Sequence, residues 1–243
     1  VDNLDFQLVR ARARVLQDES VNGRRETKTA FDTQLKESHR HLQAGAQYGL
    51  SLLALRQGKL DEAQAWLDKA RATMQPKEGV LSAESQAGDG AAMFAGLSIE
   101  IKLAPGQGPA AAQQAVQEAD AARQRFPLSR AIARQYGEAL IAAGRFEEAT
   151  RYLRDQIQLY REEPKLHDML ARTYAKQGKI ALQHMSLAES YALAGALPAA
   201  MAQLELARKA GDVSFYDQAV IDARERELKA RQKAEKEEEK ERS

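Results

Sequence analysis

Cysteine is absent from the 243 residues, which removes a disulfide framework and every thiolate metal ligand while leaving the cellular compartment open. Proline and large aromatics are scarce, with six Pro, six Phe and one Trp, so the composition points to an elongated helical array rather than a thick globular core. Runs of β-branched residues are nearly missing, and no sheet is expected. Charge of one sign is lacking too: 36 Lys and Arg stand against 35 Asp and Glu, a formal net charge of +1. That balance removes the basic field of a nucleic-acid-binding domain. No apolar run approaches the roughly 20 residues that span a bilayer, and no secretory leader is visible. Because the chain opens on Val1 rather than methionine, it reads as a fragment or processed product whose targeting segment is missing.

Catalytic signatures are equally sparse. There is no His-Glu-x-x-His, no Gly-x-Ser-x-Gly and no phosphate-binding loop. Gly106-Gln107-Gly108 lacks the third glycine and the preceding strand of a dinucleotide site. His39 and His41 are two apart, which on a helix separates their faces. His167 and Asp168 are adjacent and do not face each other either. No catalytic, cofactor-binding or metal-ligating residue is assigned.

What the chain does have is a series of glycines, Gly58, Gly144, Gly178 and Gly195, each closing an alanine-rich apolar stretch. The step 178 − 144 = 34 residues is one tetratricopeptide unit, and 195 − 178 = 17 is half of it. Around each glycine the order recurs. It reads Gly137, Leu140, Gly144, Phe146, Ala149, Leu153 in one copy and Ala188, Tyr191, Gly195, Leu197, Ala200, Leu204, Ala207 in another. The earlier copy is Leu50, Ser51, Ala54, Gly58, Leu60, Ala63, Leu67, Ala70. Small residues let paired antiparallel helices approach closely, and large ones fill the seam to the next pair. Glycine at the turn suits a left-handed residue just past a helix end. The 17-residue step predicts that the helix over 181–193 serves two pairs. The expected fold is therefore all-α, a tetratricopeptide-type helix-pair solenoid, irregular and curled, with about four repeat units plus flanking helices.

Three regions are expected: N-terminal helices over 1–43, a repeat array over 44–223 with an irregular loop near 77–90, and a charged tail over 224–243. In the first region Leu4 to Gln17 reads as a helix with Phe6, Leu8, Val9, Ala13 and Leu16 available for burial. Asn22-Gly23 reads as a turn, followed by a helix from about Arg24 to His41. Met93–Leu103 and Ala110–Arg125 form a degenerate pair joined by Pro105-Gly106-Gln107-Gly108-Pro109, which cannot continue a helix. After Arg224 the residues are almost entirely Arg, Glu, Lys, Gln and Ala, a helical or disordered tail with no apolar stripe to dock it.

Ala46-Gln47-Tyr48-Gly49-Leu50-Ser51-Leu52, followed by Gly58-Lys59-Leu60-Asp61-Glu62-Ala63, resembles the opening repeat in the C-terminal region of periplasmic β-barrel assembly-enhancing zinc metalloproteases, the BepA-like enzymes. Ala188-Glu189-Ser190-Tyr191-Ala192-Leu193-Ala194-Gly195 and Tyr216–Arg224 are similar to the end of that region, and Asp5–Arg12 to its start. The resemblance implies a two-part parent, a zinc peptidase followed by this non-catalytic repeat region. It implies a periplasmic location and two kinds of partner: the parent's own protease domain, and the β-barrel assembly machinery or outer-membrane protein substrates. Zinc is expected only in the protease domain, since no residue here matches its ligands. The tail after Arg224 has no counterpart in the family.

In helix-pair arrays the first helix of each unit lines the concave side. Aligning Gly58, Gly144 and Gly178 predicts a partner-binding groove presenting Tyr48, Leu52, Leu55 and Arg56, then Arg134, Glu138 and Ile141, then Asp168, Arg172 and Lys176. Mixed charge among apolar residues suits an extended protein segment. A stand-alone scaffold without a peptidase fits the same residues, and an enzyme with an unrecognised site near His39, His41 or His167 is a third reading.

Overall fold

The computed structural model describes residues 3–75 and 89–242, and these form twelve α-helices and no strand. In order they are α1 (Leu4–Gln17), α2 (Val21–Gln34), α3 (Arg40–Arg56), α4 (Leu60–Met74), α5 (Asp89–Lys102), α6 (Pro109–Arg125), α7 (Arg130–Ala142), α8 (Phe146–Leu159), α9 (Pro164–Lys176), α10 (Ile180–Leu193), α11 (Leu197–Lys209) and α12 (Phe215–Arg242). The loop expected near 77–90 lies outside the described residues except for its last two, which begin α5. The chain divides into two compact units, Val1–Ala139 and Leu140–Ser243.

The four glycines close helices in one repeated way. Gly58, Gly144, Gly178 and Gly195 have φ of 74°, 72°, 68° and 79°. At each, the glycine N–H donates to the carbonyl three residues back, and the next N–H donates to the carbonyl five residues before it, all within 2.9–3.2 Å. This double closure satisfies carbonyls that a helix end otherwise leaves open, and it requires a left-handed residue at the glycine. At Gly58, Gly178 and Gly195 the chain thus reverses in the space of two residues, and the helices on either side, α3 with α4, α9 with α10 and α10 with α11, pack as antiparallel neighbours.

In the first unit, α3 is the central element. From Ala44 to Ala54 every residue but Gln47 is buried, because α1, α2 and α4 all pack on it. Two glycines make this possible: a Cβ on Gly45 would lie 2.9 Å from Gln7 Cβ, and one on Gly49 only 2.3 Å from Phe31 Cζ. Helices α3 and α4 are joined by the Ser51 hydroxyl, which donates to the Ala63 carbonyl at 2.7 Å. The core continues through Leu67 and Ala70 of α4 into Phe94, Leu97 and Ile101 of α5. The α5–α6 pair forms as the sequence predicts, and its connection turns through Gly106 at φ 86°.

Three expectations for the N-terminal helices are corrected. Helix α1 buries Gln7, Leu8, Ala11 and Val15, a stripe at i, i+3/i+4 spacing that meets α3. Phe6, Val9 and Leu16 remain 53 %, 57 % and 45 % exposed, and Ala13 is exposed as well, because these four belong to a second stripe on the opposite side. Asn22-Gly23 is not a turn between helices. Both lie in the first turn of α2, whose N-cap Ser20 accepts a hydrogen bond from Gly23 N at 3.0 Å. The helix expected to reach His41 stops at Gln34, and α3 starts at Arg40 with His39 as its N-cap.

In the second unit, α8 packs on α9, and α10 packs on both α9 and α11, so one helix does serve two pairs. Buried Ala181, Ala188 and Ala192 give α10 the slim profile that two close neighbours need. Tyr191 departs from the pattern: it is 39 % exposed where Leu140 is 1 % exposed. Helix α12 then packs on α11 and α10. Its docking extends past the expected tail boundary at Arg224, since Leu228, seven residues after Ile221, is 1 % exposed. Polar contacts add to it. Arg208 meets Asp222 and Glu225 at 2.7 and 2.6 Å, Arg224 grips Glu189 through two bonds of 2.8 and 2.9 Å, and Arg231 donates to the Ala192 carbonyl. One leucine and three arginines supply what a continuous stripe would otherwise provide. The helix runs on to Arg242 with internal pairs such as Arg231–Glu235 and Lys233–Glu237.

Candidate partner-binding cleft

The first unit opens a cleft of about 440 Å³ where helices α1, α2, α3, α5 and α7 come together. Val15 of α1 and Glu19 just beyond it form one side with Arg24 of α2 and Arg56 of α3, and Leu53 and Leu55 of α3 form the floor. Glu100 of α5, the following Leu103-Ala104-Pro105, and Gln135 and Glu138 of α7 form the other side. The fold explains the grouping: α1, α3 and α5 pack on one another, so residues at their C-terminal turns converge at one end of the unit.

Beneath the cleft a polar chain ties four helices. Arg12 of α1 donates to the Tyr48 hydroxyl of α3 at 3.0 Å and to Glu100 of α5 at 2.7 Å. Gln135 of α7 donates to the Gly96 carbonyl at 3.0 Å and reaches the same Glu100 oxygen at 3.5 Å. The Gln135 carbonyl oxygen, by contrast, is shut off from solvent and accepts no hydrogen bond among the described residues. Burial pushes the Tyr48 hydroxyl above its ordinary pKa, against the pull of Arg12, so it remains a neutral phenol at physiological pH. This network is a brace, since a half-buried ion pair with shared acceptors holds the helices in one register.

The residues predicted to present a groove separate into three groups. Leu55, Arg56 and Glu138 do line the cleft, and Arg56 is paired with Glu19 of the same cleft. Tyr48 and Leu52 are corrected: each is 1 % exposed because α3 is surrounded by α1, α2 and α4, and neither can touch a partner. Arg134 is half-buried on α7, one turn from the cleft-lining Glu138. Asp168, Arg172 and Lys176 belong to the second unit, exposed at one-turn intervals along α9.

Sequence reasoning missed Arg24, Glu100 and Gln135. Arg24 makes no ion pair among the described residues, which leaves a half-buried cation facing the cleft. Its position gives no local signal, because α2 reads as a flanking helix rather than as part of the array. Glu100 sits on a helix whose register the degenerate α5–α6 pair obscures, and Gln135 lies on α7 beside the predicted Arg134 but off the positions that counting back from Gly144 selects. His167 and Asp168 do not form an acid–base pair: the imidazole is half-buried between helices while the carboxylate faces outward. Among the described residues no three His, Asp or Glu side chains converge as a metal-ligand set. No helix described is long and apolar enough to cross a membrane.

Among the described residues, the repeated turn closure and the close-packed antiparallel pairs make the fold all-α, built from helix pairs. No protein-family model matches the chain, and no curated protein matches it by sequence. Among solved structures it is similar to a thermophilic TPR protein of Thermus thermophilus, at 16 % sequence identity and a TM-score of 0.44, over 91 % of this chain and 98 % of that one.

Proposed function

We propose that this chain is the non-catalytic protein-interaction region of a periplasmic metalloprotease that acts in outer-membrane β-barrel protein assembly and quality control. The observation that carries the interaction role is the cleft of the first unit. Its apolar floor of Leu53 and Leu55 accommodates side chains, and Arg24, Arg56, Glu100 and Glu138 at its sides hydrogen-bond to the backbone and polar groups of an extended segment. The periplasmic and protease parts of the reading draw on the ordered resemblance of Asp5–Arg12, of Ala46–Leu52 with Gly58–Ala63, and of Ala188–Gly195 with Tyr216–Arg224 to the BepA-like enzymes. In this reading zinc belongs to the protease domain, and the partners are that domain and the β-barrel assembly machinery or its substrates. Arg134, Asp168, Arg172 and Lys176 supply further polar contacts.

Two experiments test it. The gene should encode a signal peptide and a His-Glu-x-x-His helix ahead of Val1, and a reading frame without them overturns the protease assignment in favour of a stand-alone scaffold. Pull-down from envelope extract, probed for components of the barrel assembly machinery, should show capture that falls roughly tenfold or more in the double variant Arg24→Glu, Arg56→Glu with its helical signal intact, as expected for reversing two charged contacts. Undiminished capture removes the cleft from the mechanism.

A further inference from the structure

The second unit holds a pocket of about 210 Å³ between α9, α10 and α12. Leu182 and Met185 of α10 form its floor, Leu170 and Tyr174 of α9 one wall, and Val220 and Ile221 of α12 the other. An apolar cavity of about 150 Å³ suffices to take up benzene, so a phenyl ring fits here.

Two polar groups open onto this apolar space. Ser186 of α10 is 7 % exposed and lines the pocket, yet its hydroxyl has no hydrogen-bond partner among the described residues. Thr173 on the neighbouring helix shows the usual solution, a 2.8 Å bond to the Met169 carbonyl one turn back. Ser186 does not take it. His167, at the same pocket, likewise has no hydrogen-bond partner among the described residues. The Ser186 oxygen is not shut off from solvent as the Gln135 oxygen is; it stays open at the pocket wall, where a ligand's polar group can replace water.

Charge, by contrast, is already closed. Arg224 at the pocket's end is held by Glu189 at 2.8 and 2.9 Å and by Glu227 at 2.6 Å. No uncommitted cation or anion among the pocket's residues therefore awaits a charged ligand, which excludes a carboxylate or ammonium anchor.

We propose that this pocket binds a phenylalanine-type side chain of a partner protein segment, the ring resting on Leu182 and Met185 and the adjoining backbone hydrogen-bonding to Ser186 and His167. The proposal rests on the reading of this chain as a binder of protein segments, and it concerns a site separate from the first unit's cleft. Met185 suits the task, since its thioether makes favourable contacts with aromatic edges and adapts to the ring.

The test is an NMR titration of the full chain carrying methyl-labelled methionine, with N-acetyl-L-phenylalanine amide as the probe. The Met185 methyl should shift saturably at millimolar probe while Met74 and Met93 of the first unit do not move. N-acetyl-L-glutamate amide should produce no saturable shift. Ser186→Ala should weaken the phenyl probe roughly three- to tenfold, the fold-change of one lost hydrogen bond. Val220→Trp, which fills the pocket from a partly exposed wall, should abolish binding while the Met185 signal stays dispersed. Non-saturating shifts, equal shifts at all methionines, binding unchanged in both variants, or preference for the glutamate probe would each overturn the proposal. The Arg24→Glu, Arg56→Glu variant should titrate normally, so a failure of the cleft and a failure of this pocket are read separately.

Discussion

Replacing Gly178 by L-alanine isolates the physics of the repeated turn. A Cβ at this position meets no atom within 4 Å, so no steric clash contributes and only the backbone conformation is at stake. At φ 68° an L-residue carries a penalty of about 1–2 kcal/mol. It cannot escape by rotating to negative φ without breaking two bonds, Gly178 N–H to Ala175 at 3.1 Å and Lys179 N–H to Tyr174 at 2.9 Å. Each of these is worth about 0.5–1.5 kcal/mol net. Alanine also narrows the unfolded ensemble, which offsets about 0.4–1 kcal/mol. The net loss is therefore about 1 kcal/mol, or roughly 4–8 °C in Tm for a unit of about 100 residues. Urea and thermal unfolding followed by far-ultraviolet circular dichroism measure it. Three companions sharpen the test. Asparagine, which tolerates the left-handed region, should cost less than alanine. D-alanine, introduced by semisynthesis, should reverse the sign and stabilise by about 0.4–1 kcal/mol. Gly58→Ala, Gly144→Ala and Gly195→Ala should repeat the loss, because none of these sites has a neighbour within 4 Å either. A neutral L-alanine variant, or a D-alanine variant no better than the L-form, refutes the reasoning.

Gly49→Ala should be worse than any of these, since its Cβ would lie 2.3 Å from the Phe31 ring. Overpacking of about 1–3 kcal/mol or more is expected, and pairing it with Phe31→Leu should recover part of the loss in urea melts. Glu100→Gln should destabilise the first unit by about 1–3 kcal/mol, because Arg12 keeps its half-buried position without its anion. A double-mutant cycle with Arg12→Met, read by chemical denaturation, should show coupling. Glu225 is lowered to about 2, first by its bond to Lys229 and then by Arg208. Its folded pKa lies below the unfolded value of about 4.3, so its contribution is complete above that value and is lost as pH falls towards 2. Protection factors of the α12 amides, with intrinsic exchange divided out, should accordingly hold at about pH 5 and fall only in stronger acid. His167 is lowered by burial, so the unfolded chain takes up its proton first and stability declines as pH drops below about 6.5. His167→Gln should flatten that slope in pH-dependent melts.

Much of the array was legible because its signals are local. The left-handed turn needs glycine within one or two positions, and the alanines that let helices approach lie within a few turns of it. These constraints act along a few residues of chain and repeat with it, so α8 to α11 and the doubly used α10 could be read directly. Apolar side choice on α1 was not local. Leu8-Ala11-Val15 and Phe6-Val9-Ala13-Leu16 are both acceptable stripes, and only the position of α3 decides which one is buried. The candidate cleft was half legible for the same reason. Arg56 and Glu138 follow from counting back from a glycine, but Tyr48 and Leu52 share that count and end in the core.

By itself the sequence determined the helical class, the turn positions and the half-unit step, since each follows from backbone conformation and short-range spacing. Tertiary structure alone decided that α3 is enclosed, that Arg24, Glu100 and Gln135 meet at one cleft, and that Leu228 and Arg231 keep α12 docked beyond Arg224, where the sequence looked solvated. Those outcomes depend on which distant helix supplies the opposing surface, and no window of sequence contains that information.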